Sequence, residues 1–221
     1  MLRSPQGWLT CMGEVSSSPE NAYLQILRQG NHSCVRVLRQ AVPERIMPRL
    51  VLNCLEAEHR IINRDGFVLH ASCVEWQGRA ILFTAPSGTG KSTLAELWHR
   101  CRNARIINGD RAAVTVGPEG PTAWGIPFCG TSGICENAAM PLAAIVSLGQ
   151  APVSAIRRLK GLAAFRQVWE GCSVHVWNRA DVDRCTRTVL AAVEGVPVYR
   201  LDCTPDETAV SVLESMLQKE A

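Results

Sequence analysis

One stretch limits what this chain can fold into more than any other. Residues 85–92 read Ala85-Pro86-Ser87-Gly88-Thr89-Gly90-Lys91-Ser92. This is the G-x-x-x-x-G-K-[ST] spacing of a phosphate-binding loop (Walker A), with Ala in place of the first Gly. Gly88 and Gly90 let the backbone curl so that successive N–H groups converge on an anion. The positive end of a following helix adds a fixed partial charge at the same point. Lys91 reaches the outer phosphates, and the Ser92 hydroxyl takes a place on a magnesium ion. Such a loop needs a strand before it and a helix after it. Arg79 to Thr84 is a compact apolar run of strand length. Leu94, Leu97, Trp98 and Cys101 fall on one face of a helix. The spacing alone also occurs by chance in glycine-containing turns; the flanking pattern favours nucleotide phosphate binding through Pro86, Ser87, Gly88, Thr89, Gly90, Lys91, Ser92 and Thr93.

A loop of this kind calls for a carboxylate to help place the metal. Asp110 follows the next strand-like run, Arg105-Ile106-Ile107-Asn108. A strand–loop–helix–strand unit brings the two strand ends to one sheet edge, so Ser92 and Asp110 are the expected metal ligands. The bland alternative is a turn aspartate beside Gly109.

The rest of the chain supplies context. Its 221 residues fit one substantial domain with a small appendage, divided at 1–62 and 63–221, and a net charge of +3 suggests no nucleic-acid partner. Ten cysteines are spread from Cys11 to Cys203 without a C-x-x-C pair, which reads as reduced, mostly buried thiols and not as a zinc site. The stretch from Asn137 to Ile156 is broken by Pro141, Gly149 and Pro152 and is a poor membrane span. A soluble, cytoplasmic protein with no membrane partner is expected.

Along the chain, Ser16 to Pro19 reads as a loop. Tyr23–Leu27 and Cys34–Leu38 read as strands joined by Gly30-Asn31. A helix is expected from Pro43 to about Ile62, ending in a turn at Asn63 to Gly66 where glycine supplies a positive φ. Phe67–Trp76 and Arg79–Thr84 form a hairpin across Gln77-Gly78. Trp124 to Gly133 is glycine-rich and irregular; it is either a functional loop or a surface connection. Leu142–Leu148, Ala155–Leu159 and Val196–Leu201 read as strands. Gly161–Trp169 and Asp181–Val193 read as helices, and a last helix is expected to start at Thr204-Pro205 with Thr204 as cap.

These residues carry a resemblance. Leu69-His70 in a strand, the hairpin, Ala85 to Ser92 and Arg105 to Asp110 together look like the catalytic domain of HPr kinase/phosphorylase, related in fold to phosphoenolpyruvate carboxykinase. A looser likeness extends through Trp124 to Gly130 and Arg157-Arg158-Leu159. The resemblance implies an α/β fold, a P-loop kinase-like mixed sheet flanked by helices, with ATP and Mg²⁺ as cofactors. It implies a kinase-like phosphotransferase acting on a hydroxyl acceptor, and relatives that tend to form homo-oligomers. In the resembled family two adjacent aspartates close the strand after the loop helix, one binding metal and one acting as base. Here the pair is Gly109-Asp110, which leaves Asp110 the metal role and brings His70 or Glu75 nearer the acceptor. The catalytic set this implies is Lys91, Asp110 and His70, with Arg157 or Arg158 and the Gly125–Gly133 loop beside the acceptor. An ATP-binding regulatory module without efficient transfer, and phosphorolysis of a phosphorylated acceptor, are the alternatives.

Overall fold

The computed structural model describes residues 2–4, 7–12, 24–29, 32–38 and 56–220. The chain forms two compact units, 1–57 and 58–221.

The first unit is a four-stranded antiparallel meander of β1 (Leu2–Ser4), β2 (Gly7–Met12), β3 (Leu24–Gln29) and β4 (His32–Val37), in the order β1-β2-β3-β4. Leu24 and Ile26, two positions apart on β3, are buried, whereas β4 is largely exposed. The hairpin expected around Gly30-Asn31 is thus present as β3 and β4. The Ser16–Pro19 loop lies outside the described residues, as does the expected helix up to residue 55.

Helix α1 (Ala57–Ile62) starts at the last residue of the first unit, and the second unit is built on a nine-stranded sheet. In chain order its elements are β5 (Gly66–Trp76), β6 (Arg79–Thr84), α2 (Lys91–Arg102), β7 (Arg105–Asn108), β8 (Arg111–Gly117), β9 (Gly120–Gly125), β10 (Ala139–Gln150), β11 (Ala155–Leu159), α3 (Gly161–Trp169), β12 (Cys172–Ser173), α4 (Arg179–Gly195), β13 (Val198–Cys203) and α5 (Glu207–Lys219). The strand order is β11-β13-β10-β6-β5-β8-β9, with β7 and β12 beside β5. β10 is parallel to β6 and β13, and the other pairings are antiparallel. The long β10 also pairs through residues 139–141 with β9, so β10-β6-β5-β8-β9 close into a ring. This is a mixed α/β architecture: a large mixed sheet flanked by helices.

Period-two alternation decides which helix covers which face. Leu82, Ile145 and Val198 lie in register and share one core with Ala164 and Val168 of α3 and Cys185, Val189 and Ala192 of α4. Ile81, Phe83, Val146, Tyr199 and Leu201 share the other with Leu94, Leu97 and Trp98 of α2 and Val210, Leu213 and Leu217 of α5. The sheet is therefore buried on both faces, which is why its central strands read as unbroken apolar runs.

Three local readings change. The left-handed residue before β5 is Asp65 (φ 52°), not Gly66; Gly66 begins the strand. The cap of α5 is Asp206, whose carboxylate accepts the Thr208 N–H at 2.9 Å, whereas Thr204 donates to Asp206 from outside the helix. Trp124 and Gly125 close β9, so the irregular segment starts at residue 126. No helix among the described residues is long and apolar enough to cross a membrane. Cys34, Cys73, Cys101, Cys129, Cys135, Cys172, Cys185 and Cys203 are free thiols; Cys73 and Cys185 are buried, and Cys34 and Cys135 are exposed.

Candidate functional site

β6 and β7 are both antiparallel to β5 and therefore run in the same direction with β5 between them. The C-terminal end of β6 meets β5 at Ala71, through Thr84, and that of β7 meets it at Cys73, through Asn108. The two strand ends thus arrive at one edge, with His70 beside both. Side chains that are costly to bury gather there: Ser72, Thr84, Lys91, Asn108 and Ser147 are all buried. Each of the four neutral ones has a partner. Ser72 donates to the Gly109 carbonyl at 3.1 Å, and Thr84 donates to the His70 carbonyl at 3.0 Å. Ser147 accepts from Arg200 at 3.2 Å. Asn108 donates to the Ile126 carbonyl at 2.7 Å, and its side-chain oxygen accepts the Asp110 and Arg111 N–H groups at 2.8 and 2.9 Å.

The glycine loop leads from β6 into α2. Gly88 and Gly90 stand at φ 77° and 116°, in the left-handed region that only glycine enters without strain. Open space lies beside both. Gly90 is the N-cap and offers no side-chain cap, and the first intrahelical bond runs from Leu94 N–H to Gly90 C=O at 2.9 Å. The N–H groups of Lys91, Ser92 and Thr93 have no intrahelical acceptor. Lys91 is 8 % exposed and folds back over the loop, donating from Nζ to the Ala85 and Pro86 carbonyls at 2.9 and 3.3 Å. Among the described residues it has no carboxylate within ion-pair distance. Burial lowers its pKa, with Asp110 pulling the other way. A buried cation beside uncapped N–H groups and open space suits an anion.

Asp110 stands across from this loop. Its Oδ1 lies 3.1 Å from His70 Nε2 and its Oδ2 lies 3.6 Å from Arg111 Nε. Arg111 also pairs with Glu58 at 3.0 Å and lies over the Phe128 ring. Burial, then Lys91, lowers the His70 pKa from its ordinary 6.5 against the opposing pull of Asp110. The fold thus brings Lys91, His70 and Asp110 together. Ser92 and Thr93 are exposed on the first turn of α2, and neither hydroxyl is bonded to Asp110. Glu75 is held elsewhere: it pairs with Arg105 at 3.1 Å, where β7 begins. Arg158 pairs with Glu220 at 2.6 Å on the outermost strand.

Gly109 has a steric cause. A Cβ there would stand 2.0 Å from Ser132 Oγ and 2.6 Å from Ser132 Cβ. The 126–135 segment folds over the end of β7: Gly109 N–H bonds to Ile134 C=O at 3.2 Å, and Glu136 N–H to Ile107 C=O at 2.8 Å. Gly130 packs on Asp110; a Cβ there would be 2.7 Å from the Asp110 Cβ. This glycine-rich segment is therefore fitted to the site.

Two clefts flank the loop on opposite faces of the sheet. One, of about 620 Å³, is bounded by loop residues 88–90, by Leu94 and Leu97 of α2, and by strand ends 148–151 and 203–205. The other, of about 610 Å³, is bounded by His70, Thr84, Arg111, Glu170, Ser173 and Arg200, among others. Arg200 reaches it because Thr84, Ser147 and Arg200 stand in one row across β6, β10 and β13. Its Nε is held by Asp202 at 2.8 Å. Sequence reasoning passed over Arg111, Arg200 and Ser132, which reach the site through register and loop packing. Asn108 carried a signal in Asn108-Gly109-Asp110, an Asx-turn pattern.

No group of three or more His, Cys, Asp or Glu side chains that could hold a metal ion occurs among the described residues. A cation here would take most of its ligands from phosphate oxygens and water, as magnesium does.

No protein-family model matches the chain, and no curated protein matches it. Among solved structures the chain is similar to the Hpr(Ser) kinase/phosphatase from Coxiella burnetii, at 11% identity over 69% of this chain and 89% of that chain, with a TM-score of 0.38. The likeness is a distant one, of fold.

Proposed function

We propose that the chain is a phosphotransferase that uses Mg-ATP and passes a phosphoryl group to a hydroxyl acceptor. The observation that carries this reading is the buried Lys91, folded over an open glycine loop at an uncapped helix start, with the His70–Asp110 pair opposite. The first cleft, largely apolar and continuous with the loop glycines, suits the nucleoside; the second, which contains His70, suits the acceptor.

In this reading the N–H groups of the α2 start and Lys91 hold the phosphate oxygens, where positioning and charge stabilisation lower the barrier. The magnesium ion, when bound, neutralises charge on the transferring group. Ser92 and Asp110 would hold it, with Asp110 releasing Arg111 to offer Oδ2. His70 donates its Nε2 hydrogen to Asp110, which leaves the Nδ1 lone pair as acceptor for the hydroxyl proton. Its lowered pKa keeps it neutral near pH 7, the state a base requires.

Titration calorimetry of ATP with and without Mg²⁺ tests the donor half. Lys91→Ala is expected to lose about 1.5–3 kcal/mol of affinity, the range of a charged hydrogen bond. Magnesium-independent binding, or an unaffected variant, would refute the assignment. Gly109 favours a second reading, an ATP-binding regulatory module, because no carboxylate stands beside Asp110. ADP release during an acceptor screen separates the two.

A further inference from the structure

Cys129 and Cys135 lie at the two ends of the loop that covers Asp110. Main-chain bonds fix its neck: Asn108 forms a bridge with Cys135, and the Asn108 side chain donates to the Ile126 carbonyl. Ser132 donates to the Cys129 carbonyl at 2.8 Å and accepts the Ile134 N–H at 3.2 Å, which folds the loop back on itself. Gly109 ties the two ends together: its N–H bonds to Ile134 C=O at 3.2 Å, and a Cβ on it would stand 3.7 Å from the Cys129 carbonyl oxygen, so both cysteines converge beside it. Burial and then the neighbouring Cys129 thiol push up the pKa of Cys135. Both are free; Cys129 is half-buried and Cys135 is exposed. Another thiol pair, Cys172 and Cys185, is closed to a reagent at Cys185, which is buried. Between the two loop cysteines, Gly130 rests on the Asp110 side chain and Ser132 fills the space over Gly109.

We propose that Cys129 and Cys135 form a reversible disulfide clasp that locks this loop over Asp110 and switches off magnesium-dependent nucleotide binding; the regulatory half rests on the function proposed above. The chemistry needs an oxidant, a low-molecular-weight disulfide. One cysteine thiolate attacks a sulfur of the oxidant and expels its first thiolate, leaving a mixed disulfide. The second cysteine thiolate then attacks the protein sulfur and expels the other. Two electrons pass to the oxidant, which leaves as two thiols, and the protein gains one S–S bond. A bond across the neck holds Gly130 against Asp110. The carboxylate then stays on His70 and Arg111 and cannot turn an oxygen to the cation.

The test uses the full chain treated with oxidised glutathione, then with a reductant. Trypsin releases residues 112–157 as one peptide, whose only cysteines are Cys129 and Cys135. The expected result is a peptide that resists thiol alkylation after oxidation and accepts it again after reduction. In parallel, the gain in ATP affinity on adding Mg²⁺ falls by roughly tenfold on oxidation. Cys135→Ser and Cys129→Ala, each checked by thermal melting, retain that gain under the same treatment. Free thiols or two glutathione adducts on the peptide would overturn the clasp. A disulfide that leaves the magnesium-dependent gain unchanged would overturn its regulatory role. Reduced protein without such a gain would refute the proposed function, and the regulatory half with it, while the peptide still decides whether the bond forms.

Discussion

At the scale of single residues, the site turns on what stands beside Asp110. Gly109 leaves room for Ser132, so restoring a carboxylate there is a steric problem before it is a chemical one. Gly109→Asp is expected to destabilise the protein by about 1–3 kcal/mol, the usual cost of overpacking, with no gain in phosphoryl transfer. Ser132→Gly in the same chain should recover part of the loss, read as a coupling in a double-mutant cycle of urea melts. Additive effects would show that Ser132 is not the obstacle. His70 carries a second expectation. Its lowered pKa means that the folded chain favours the neutral imidazole, so its contribution is complete above 6.5 and is lost as pH falls toward the native value. Under the proposed function, transfer should decline as pH falls through the lowered native pKa, below 6.5, and His70→Gln should remove this limb of the pH–rate profile. An unchanged profile in the variant would exclude His70 as the base.

At the scale of elements, the parts legible in sequence were those whose signals are local. β5, β6 and α2 carry their own periodicity, and Gln77-Gly78 carries the left-handed turn, at φ 53° and 74°. β12 was not legible: two residues have no period, and Cys172 becomes a strand only by meeting Leu69, about a hundred positions earlier. Ring closure between β9 and β10 depends on a pairing of the same non-local kind. For the same reason Lys91 and Asp110 could be picked as candidates from local patterns and His70 from the family resemblance, whereas Arg200 needed the register of three strands. α4 adds a device that no motif announces. Its first turn buries Asp181, which takes a hydrogen bond from His59 Nδ1 of the α1 helix at 2.8 Å and lies 3.8 Å from His175. Burial alone would raise its carboxyl, but the neighbouring His175 and the hydrogen bond from His59 outweigh burial and hold it below its ordinary 3.8. The stability it supplies is therefore present above about that value and is lost as pH falls through the lowered native one. Asp181→Asn should cost about 1–3 kcal/mol near neutrality, and its deficit against wild type should shrink in acid melts. A deficit independent of pH would show that the carboxylate charge contributes nothing.

At the scale of the whole molecule, the proposed function gives the closed sheet two tasks to separate. The loop crosses its edge between two clefts, one against the α2 and α5 core and one against the α3 and α4 core. A nucleotide with its phosphates on the loop can then enter from one face while an acceptor approaches from the other, so each side can vary without disturbing its counterpart. This division can be checked without knowing the acceptor. Ala151 lies at the end of β10 on the wall of the first cleft, outside both apolar cores. Ala151→Trp fills nucleoside space and leaves the loop, Lys91 and the uncapped N–H groups untouched. Tripolyphosphate carries the charge of ATP without its nucleoside. Wild type should bind ATP more tightly than tripolyphosphate, by the apolar area the nucleoside buries at roughly 25 cal/mol per Å². The variant should lose that difference and bind tripolyphosphate as wild type does. Equal losses for both ligands would mean that the tryptophan disturbs the loop. Retention of the full ATP preference would place the nucleoside elsewhere, and the second cleft would then have to hold both substrates on one face of the sheet.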